Sequence, residues 1–186
     1  RVPDVAGKTV FDVGTGTGVL SFLLLQRNAS RASATDIEPR AVRSANENAA
    51  RLKLTGRFTV EERPLFPDGR ADLVVCNPPW IPEAPKNRFD RAVFDADNAF
   101  LLGFLRGLSE HLTPGGRGLL IISDLAEHLG LREPGWLEAQ IADAGLAIAS
   151  RTSAQPKHGK AKDRTDPLHA ARSRETTTLY ELTSRR

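Results

Sequence analysis

The chain has 186 residues, a length that suits a single domain with one sizeable hydrophobic core. Apolar residues make up 40% of it, which excludes wholesale disorder, and no apolar run is long enough to span a bilayer. The net charge of +3 permits nucleic-acid binding without requiring it. The single Cys76 excludes an internal disulfide and is typical of a protein in the reducing cytosol.

The chain contains no methionine, even at position 1. We therefore expect that the protein has an upstream segment that these residues do not include. Residues 1–186 themselves are expected to form one domain. The alternating pattern described next leaves no room for a second domain within these residues.

Strands and helices alternate in the first half of the chain. Short apolar runs predict four strands, at residues 8–13, 32–35, 57–61 and 71–76. Helices are predicted at Val19–Gln26 and from Pro39 onward, because the fixed φ of proline suits the first helical turn. The buried face of the second helix is expected to carry residues at helical spacing, namely Val42, Ala45, Ala49 and Leu52.

The alternation continues in the second half. Asp97 is expected to cap a helix with an apolar face. That face carries Phe100, Phe104, Leu105, Leu108 and Leu112. A further helix should end at Gly145, and buried strands are predicted at residues 118–122, 146–150 and 177–182. A long polar loop rich in Lys, Arg and His fills residues 153–173. The whole pattern predicts an open α/β sheet.

A glycine-rich turn joins the first strand to the first helix, in the segment Asp-Val-Gly-Thr-Gly-Thr-Gly at residues 12–18. Glycine lets the backbone turn tightly and lets a ligand approach the main chain without obstruction by a Cβ. Asp36 ends the second strand about 20 residues further on, where a carboxylate can accept hydrogen bonds from ribose hydroxyls. The two features together favour a ligand that contains adenosine.

The spacing of the glycines argues against two common nucleotide motifs. A dinucleotide fingerprint, Gly-x-Gly-x-x-Gly/Ala, would place its third small residue at Val19 if it began at Gly14, or at Ser21 if it began at Gly16. A phosphate-binding P-loop is excluded because no Gly-Lys-Ser/Thr follows. A nicotinamide-dependent oxidoreductase therefore stays only a distant alternative.

The Asp-x-Gly-x-Gly-x-Gly pattern resembles motif I of the class I S-adenosylmethionine-dependent methyltransferases. The resemblance implies S-adenosyl-L-methionine as the cofactor, with its methionine and ribose portions beside the loop. It implies that the cofactor is bound by Asp12, Gly14, Thr15, Gly16, Gly18, Asp36, Ile37 and Asn77.

The most informative tetrapeptide is Asn77-Pro78-Pro79-Trp80, which directly follows a buried strand. An amide or exocyclic amine is a poor nucleophile because its lone pair is delocalised. The Asn77 side-chain oxygen and the Pro78 carbonyl can both accept hydrogen bonds from such an NH2 group. Two prolines stiffen the loop, and Trp80 offers a flat face on which a planar group can stack.

This motif is similar to the Asn-Pro-Pro-aromatic signature of class I N-methyltransferases that act on glutamine amides, adenine N6 or guanine N2. The run at residues 77–82 and the Arg88-Phe89-Asp90 segment resemble the release-factor glutamine methyltransferases. The resemblance implies that Asn77, Pro78 and Trp80 are catalytic. It also implies a Rossmann-like fold: a seven-stranded, mostly parallel sheet with helices on both faces and an antiparallel last strand.

The substrate follows from the same resemblance. A protein glutamine side chain is slightly favoured, and the exocyclic amine of an RNA or DNA base is the close alternative. The absent upstream segment would then be a substrate-recognition part, as in related enzymes. A domain that binds nucleoside or RNA without catalysis is a third possibility, and the intact Asn77 argues against it.

The chain departs from the family pattern at two places. Position 80 holds tryptophan where the family usually has tyrosine or phenylalanine. The third strand usually ends in an acid that contacts the adenine amino group, and here Glu62 is assigned that role, next to Arg63 and Pro64. No His, Cys or carboxylate spacing predicts a metal site. The polar loop at residues 153–173 has two possible interpretations. It is a basic lip that binds RNA phosphates or the acidic surface of another protein, or it is a solvated loop without a role.

Overall fold

Seven strands form one sheet in the computed structural model, which describes residues 4–84, 93–155 and 169–185. The strands are β1 (Thr9–Val13), β2 (Arg31–Asp36), β3 (Phe58–Glu62), β4 (Ala71–Cys76), β5 (Leu112–Ser123), β6 (Leu146–Ala154) and β7 (Thr177–Ser184). Their order is β3-β2-β1-β4-β5-β7-β6. The first five pair in parallel, whereas β7 runs antiparallel to both β5 and β6. The predicted mostly parallel sheet with an antiparallel last strand is confirmed.

Helices connect the strands along the described part of the chain. They are α1 (Val19–Gln26), α2 (Pro39–Arg51), α3 (Ala99–Leu108), α4 (Leu125–His128), α5 (Trp136–Asp143) and α6 (His169–Arg172). Short 3₁₀ turns at Ala96–Asn98 and Ser109–His111 flank α3. The helices predicted at Val19–Gln26 and from Pro39 are confirmed, and Pro39 occupies the first turn of α2 as its fixed φ requires.

Helices cover both faces of the sheet. Successive residues of a strand point to opposite faces, so the side chains of β1 and β4 divide between two hydrophobic clusters. Val10 and Leu73 pack with buried residues of α1 and α2 on one face. Phe11, Val74 and Cys76 pack with buried residues of α3 and α5 on the other face. This explains why β4 is apolar at nearly every position rather than alternating.

Three expectations for the helices need correction. Asp97 does not cap α3: it lies inside the 3₁₀ turn with a φ of 55°, and the carboxylate of Asp95 instead accepts the N–H groups at the start of the helix. Leu52 does not belong to the buried face of α2, because the helix ends at Arg51 and Leu52 is 46% exposed. Leu112 is buried, but it begins β5 rather than ending α3.

Part of the polar loop expected at residues 153–173 is regular structure. Strand β6 extends to Ala154, and α6 occupies His169–Arg172. Residues 156–168, which hold all three of its lysines, lie outside the described residues, as does the Arg88-Phe89-Asp90 segment.

The strand order creates a crevice at one edge of the sheet. From β1 the chain first adds β2 and β3 on one side, and then crosses back to add β4 and β5 on the other side. Ligands of open α/β sheets bind at the carboxyl ends of the strands where the order reverses in this way. In this protein that point lies between the ends of β1 and β4, where the glycine turn and Asn77 follow their strands.

Candidate functional site

The glycine turn between β1 and α1 depends on backbone conformations that favour glycine. Gly14, Gly16 and Gly18 have φ angles of 71°, 57° and 87°, in the left-handed region where other residues are strained. The N–H groups of Gly14 and Thr15 both donate to the carbonyl oxygen of Thr35, each at 2.9 Å. The turn is therefore fixed against the end of β2, and its backbone is exposed to the crevice.

Asp12 supports the turn from below. It is buried, and its Oδ2 accepts hydrogen bonds from the Thr15 hydroxyl at 2.7 Å and from the hydroxyl and N–H of Ser21 at 2.7 and 3.1 Å. Burial raises the pKa of the Asp12 carboxyl, and the hydrogen bonds from Ser21 and Thr15 oppose that shift. The structure thus places Asp12 beneath the loop and not on the wall of the crevice.

Asp36 holds the opposite side of the turn. Its two carboxylate oxygens accept the N–H of Gly16 at 2.8 Å and the N–H of Glu38 at 2.9 Å. Each oxygen retains a further lone pair, so the group can still accept hydrogen bonds from a ligand. Asp36 therefore both shapes the turn and presents a negative charge to the crevice.

The crevice is a cleft of about 700 Å³, within the range of small-molecule sites. Six of the predicted site residues line it: Gly14, Thr15, Gly16, Asp36, Ile37 and Asn77. Five others do not: Asp12, Gly18, Glu62, Pro78 and Trp80. Gly18 directly precedes α1 as its N-cap, and a Cβ at this position would lie 2.4 Å from the ring of Phe22.

The segment after β3 forms one wall of the cleft, although Glu62, the residue expected to contact the cofactor there, is not part of it. Glu62 is exposed and absent from the cleft, which is lined instead by Arg63, Pro64 and Leu65. Arg63 forms ion pairs with Asp68 at 3.0 Å and with Glu61 at 3.4 Å. The hydrogen bonds that Arg63 donates to these carboxylates, above all to Asp68, raise the pKa of Arg63.

Leu65 adopts a left-handed φ of 55°, and its carbonyl accepts a hydrogen bond from the hydroxyl of Thr35. The wall is thereby tied to β2, the strand that also holds the glycine turn. The sequence around Glu62 does not predict this contact, because the hydrogen bond joins Thr35 and Leu65, which are 30 positions apart.

The loop after β4 brings Asn77 to the cleft. Asn77 is exposed, and its Oδ1 accepts a hydrogen bond from the indole N–H of Trp80 at 3.2 Å. Pro78 is buried, and Trp80 is half-buried against the cluster that contains α3 and α5. The Trp80 ring therefore orients the Asn77 amide from behind.

The start of α3 completes the cleft, and it is the part that the sequence missed. Phe100 lies so close to Gly14 that a Cβ there would sit 2.9 Å from the ring. Asp95 is 7% exposed, lines the cleft, and accepts the N–H groups of Phe100 and Leu101 at 2.9 and 3.0 Å. Asp95 could not be distinguished from Asp97 by sequence, since both precede the same apolar helix.

Two kinds of feature are absent from the described residues, 4–84, 93–155 and 169–185. No group of three or more His, Cys, Asp or Glu side chains could hold a metal ion. No helix in those ranges has the length and apolarity needed to cross a membrane.

Comparison with known proteins gives consistent matches. A family model described as Ribosomal protein L11 methyltransferase (PrmA) matches residues 3–78, which include the glycine turn, Asp36 and Asn77. The Release factor glutamine methyltransferase of Cereibacter sphaeroides is 36% identical over 158 residues, covering 76% of this chain and 54% of the relative.

A second relative has a name that describes an enzyme acting on RNA. The tRNA1(Val) (adenine(37)-N6)-methyltransferase of Shewanella halifaxensis is 26% identical over 175 residues, covering 87% of this chain and 66% of the relative. The chain spans about half the length of the release factor methyltransferases that it matches.

A solved structure with the same fold contains a related cofactor product. The geranyl diphosphate C-methyltransferase of Streptomyces coelicolor A3(2), solved with S-adenosyl-L-homocysteine, has a TM-score of 0.69 and 14% identity. The match covers 97% of this chain and 74% of that one. The Rossmann-like sheet expected from the sequence is thus the class I methyltransferase fold.

Proposed function

We propose that this chain is a class I S-adenosylmethionine-dependent methyltransferase, which transfers a methyl group from S-adenosylmethionine to the side-chain amide nitrogen of a protein glutamine. One observation carries the proposal: Asn77 lines the same cleft as the glycine turn and Asp36. A nitrogen held at Asn77 is thereby brought beside an adenosyl group held by the turn.

The residues of the cleft fit S-adenosylmethionine. Asp36 can accept hydrogen bonds from ribose hydroxyls, as expected from its position at the end of β2. Ile37 and Pro64 offer apolar surface to a purine ring, and the backbone of Gly14 and Gly16 is open to the amino-acid portion. When bound, S-adenosylmethionine supplies a methyl group on a positively charged sulfur, which leaves as a neutral thioether.

The chain's own residues supply alignment and hydrogen-bond acceptors. The Asn77 oxygen has two lone pairs, so it can accept from the target NH2 while it accepts from Trp80. The Pro78 carbonyl is the second proposed acceptor. Two acceptors on one NH2 group fix its orientation and favour electron density that faces the methyl group. A strong general base is unnecessary, since the proton can leave after attack.

Two classes of methyl acceptor are candidates, a protein glutamine amide and the amine of an RNA base. The glutamine amide is supported by the 36% identity to a release factor glutamine methyltransferase. An RNA adenine amine is the second candidate, supported by the longer alignment to the tRNA adenine methyltransferase. The chain spans about half the length of the release factor glutamine methyltransferases that it matches. The identity of the substrate is therefore itself part of the proposal.

The test is transfer of a labelled methyl group from S-adenosylmethionine into separated protein and RNA fractions by the 186-residue chain. Label in the protein fraction, recovered on glutamine, is the expected result. Label in RNA, with binding that weakens steeply with salt, would support the second candidate instead. Label in neither fraction, from a chain that binds S-adenosylmethionine, would overturn both.

A matched pair of variants serves as control. Asn77→Ala should abolish most of the transfer, whereas Asn46→Ala should not change it. Asn46 is also an exposed asparagine, but it lies on α2 and does not line the cleft.

A further inference from the structure

Arg132 is a charged side chain inside the protein, between α4 and α5. Its side chain is 2% exposed, and its Nη1 lies 3.7 Å from the carboxylate of Glu127. Its guanidinium also stacks over the ring of Trp136, at 5.0 Å from the ring centre. Burial lowers the pKa of Arg132, and burial also raises the pKa of Glu127. Burying a charged guanidinium costs desolvation free energy, so the contacts that Arg132 makes should account for its position.

One nitrogen of Arg132 bridges two segments that are far apart in the sequence. Nη2 donates to the Asn98 side-chain oxygen at 2.5 Å and to the Trp80 carbonyl oxygen at 3.5 Å. Trp80 belongs to the loop that carries Asn77, and Asn98 directly precedes α3. The guanidinium therefore connects the loop after β4 to the start of the helix that forms the other wall of the cleft.

Both connections lead to residues that line the cleft. From Trp80, the indole N–H continues to the Oδ1 of Asn77. From Asn98, the chain continues directly into Ala99 and Phe100, which line the cleft opposite the glycine turn. Arg132 itself does not line the cleft. Its position thus sets the spacing between Asn77 and the start of α3 without contact with a ligand.

We infer that Arg132 is a positioning residue for methyl transfer, which fixes Asn77 through Trp80 and fixes the cleft wall through Asn98. The inference rests on the proposed function for its kinetic consequence. The two N–H groups of Nη2 lie in the rigid plane of the guanidinium, so their directions are fixed, whereas the donors of a lysine ammonium rotate at the end of a flexible stem. Lysine at this position should keep the charge beside Glu127 and lose the alignment.

The first test reads the alignment directly, without any substrate. The chain has two tryptophans, so their two indole N–H resonances can be assigned in an NMR spectrum with Trp136→Phe. Arg132→Met and Arg132→Lys should each shift the Trp80 indole resonance and speed its exchange with water about tenfold, since the bond to Asn77 loosens. An unchanged Trp80 resonance in both variants would overturn the inference.

The second test separates the rate of transfer from cofactor binding. Arg132→Lys should lower kcat about 10- to 100-fold, the scale of a misplaced reacting group, and leave the Kd for S-adenosylmethionine within about twofold. A purely structural role predicts a lower Tm with kcat and Kd unchanged in the fraction that remains folded. That pattern would contradict the inference.

Two further variants guard against misfolding and non-specific effects. Asn98→Gly removes one acceptor while leaving Arg132 in place, and glycine tolerates the left-handed φ of 56° at this position. It should reproduce the lowered kcat, and a wild-type kcat would count against the inference. Arg151→Met is the matched control: Arg151 also stacks on an aromatic ring, that of Tyr180, and pairs with Glu138, but it contacts neither Trp80 nor Asn98.

The NMR and kinetic readouts distinguish the two levels of the account. If the wild-type chain transfers no methyl group, the proposed function fails while the indole resonance still decides whether Arg132 positions Asn77. If transfer occurs and the indole resonance does not respond to Arg132, only the positioning role fails.

Discussion

The two walls of the cleft are held together in different ways. On the cofactor side, Asp12 and Asp36 bond to groups 2 to 20 residues away in the sequence. On the acceptor side, the side chain of Arg132 reaches Asn98 and Trp80 across 34 and 52 residues. The two carboxylates of the first wall thus act within one continuous strand-turn-helix-strand segment, whereas the second wall is assembled from three separate segments. Function should divide along the same line, with cofactor affinity on one wall and rate on the other.

The largest effect is expected on the acceptor wall. Asn77→Ala should lower kcat about 100-fold or more, because an electrostatic contact to the reacting group is lost, as when an enzyme loses one hydrogen-bonding group of its active site. The Kd for S-adenosylmethionine, measured by calorimetry, should stay within about threefold. Equal turnover in this variant would break the assignment of Asn77, and a parallel loss of affinity would break the division between the walls.

Asp36→Ala should show the reverse pattern on the cofactor wall. It removes hydrogen bonds to a charged group and the acceptor for ribose, which together weaken S-adenosylmethionine binding about 10- to 100-fold. The value of kcat at saturating cofactor should fall much less. Asp143→Ala is the matched control, since Asp143 is an exposed aspartate at the end of α5. Affinity unchanged in Asp36→Ala would refute the ribose role.

A smaller effect should distinguish Arg63 from Glu62, the residue that the sequence favoured for the adenine contact. Arg63 lines the cleft and Glu62 does not. Because a cation near an aromatic face contributes about 0.5–1 kcal/mol at an exposed site, Arg63→Ala should weaken S-adenosylmethionine binding about two- to fivefold. Glu62→Ala should not change it. A loss of S-adenosylmethionine affinity confined to Glu62→Ala would instead support Glu62 as the residue that contacts the adenine amino group.

The smallest effect is expected outside both walls, at the opposite edge of the sheet. Asp72 is the second residue of β4, and its carboxylate accepts hydrogen bonds from the N–H and hydroxyl of Thr9 at 2.9 and 2.8 Å and from the Thr113 hydroxyl at 2.8 Å. The bonds from Thr9 lower the pKa of Asp72, so its contribution to stability is fully present above the ordinary pKa that an aspartate has in the unfolded chain. It is lost as the pH falls through the lowered folded value.

Asp72→Asn should therefore lower the Tm by about 2–4 °C near neutral pH and by less in acid. Cofactor affinity and kcat should not change. A thermal melt at several pH values measures the first result. A Tm difference that is constant with pH would contradict the ionic origin of this contribution.

The sequence predicted the cofactor wall better than the acceptor wall, for a physical reason. The positive φ angles of Gly14, Gly16 and Gly18 demand glycine, so the pattern of residue types reveals the turn directly. The elements around it were also predictable, because buried parallel strands are continuous apolar runs. On this wall the structure differs from the sequence analysis at three residues, because Asp12 lies beneath the turn and neither Gly18 nor Glu62 lines the cleft.

The acceptor wall was only partly predictable. The motif revealed Asn77 but not that Trp80 lies behind it, because an exposed stacking face and a half-buried ring have the same sequence. Arg132 carries no local signal, since its partners Asn98 and Trp80 lie 34 and 52 residues away in the sequence. Asp95 bonds locally, but its sequence position does not distinguish it from Asp97 as the residue that caps α3. Local chemistry predicts local structure, and long-range polar contacts require the fold.

The most direct test is a crystal structure of the 186-residue chain with S-adenosyl-L-homocysteine. The account predicts ribose hydroxyls on Asp36, the amino-acid portion along the glycine turn, and the sulfur facing the amide of Asn77. A ligand bound outside this cleft, or bound with its sulfur directed away from Asn77, would contradict it.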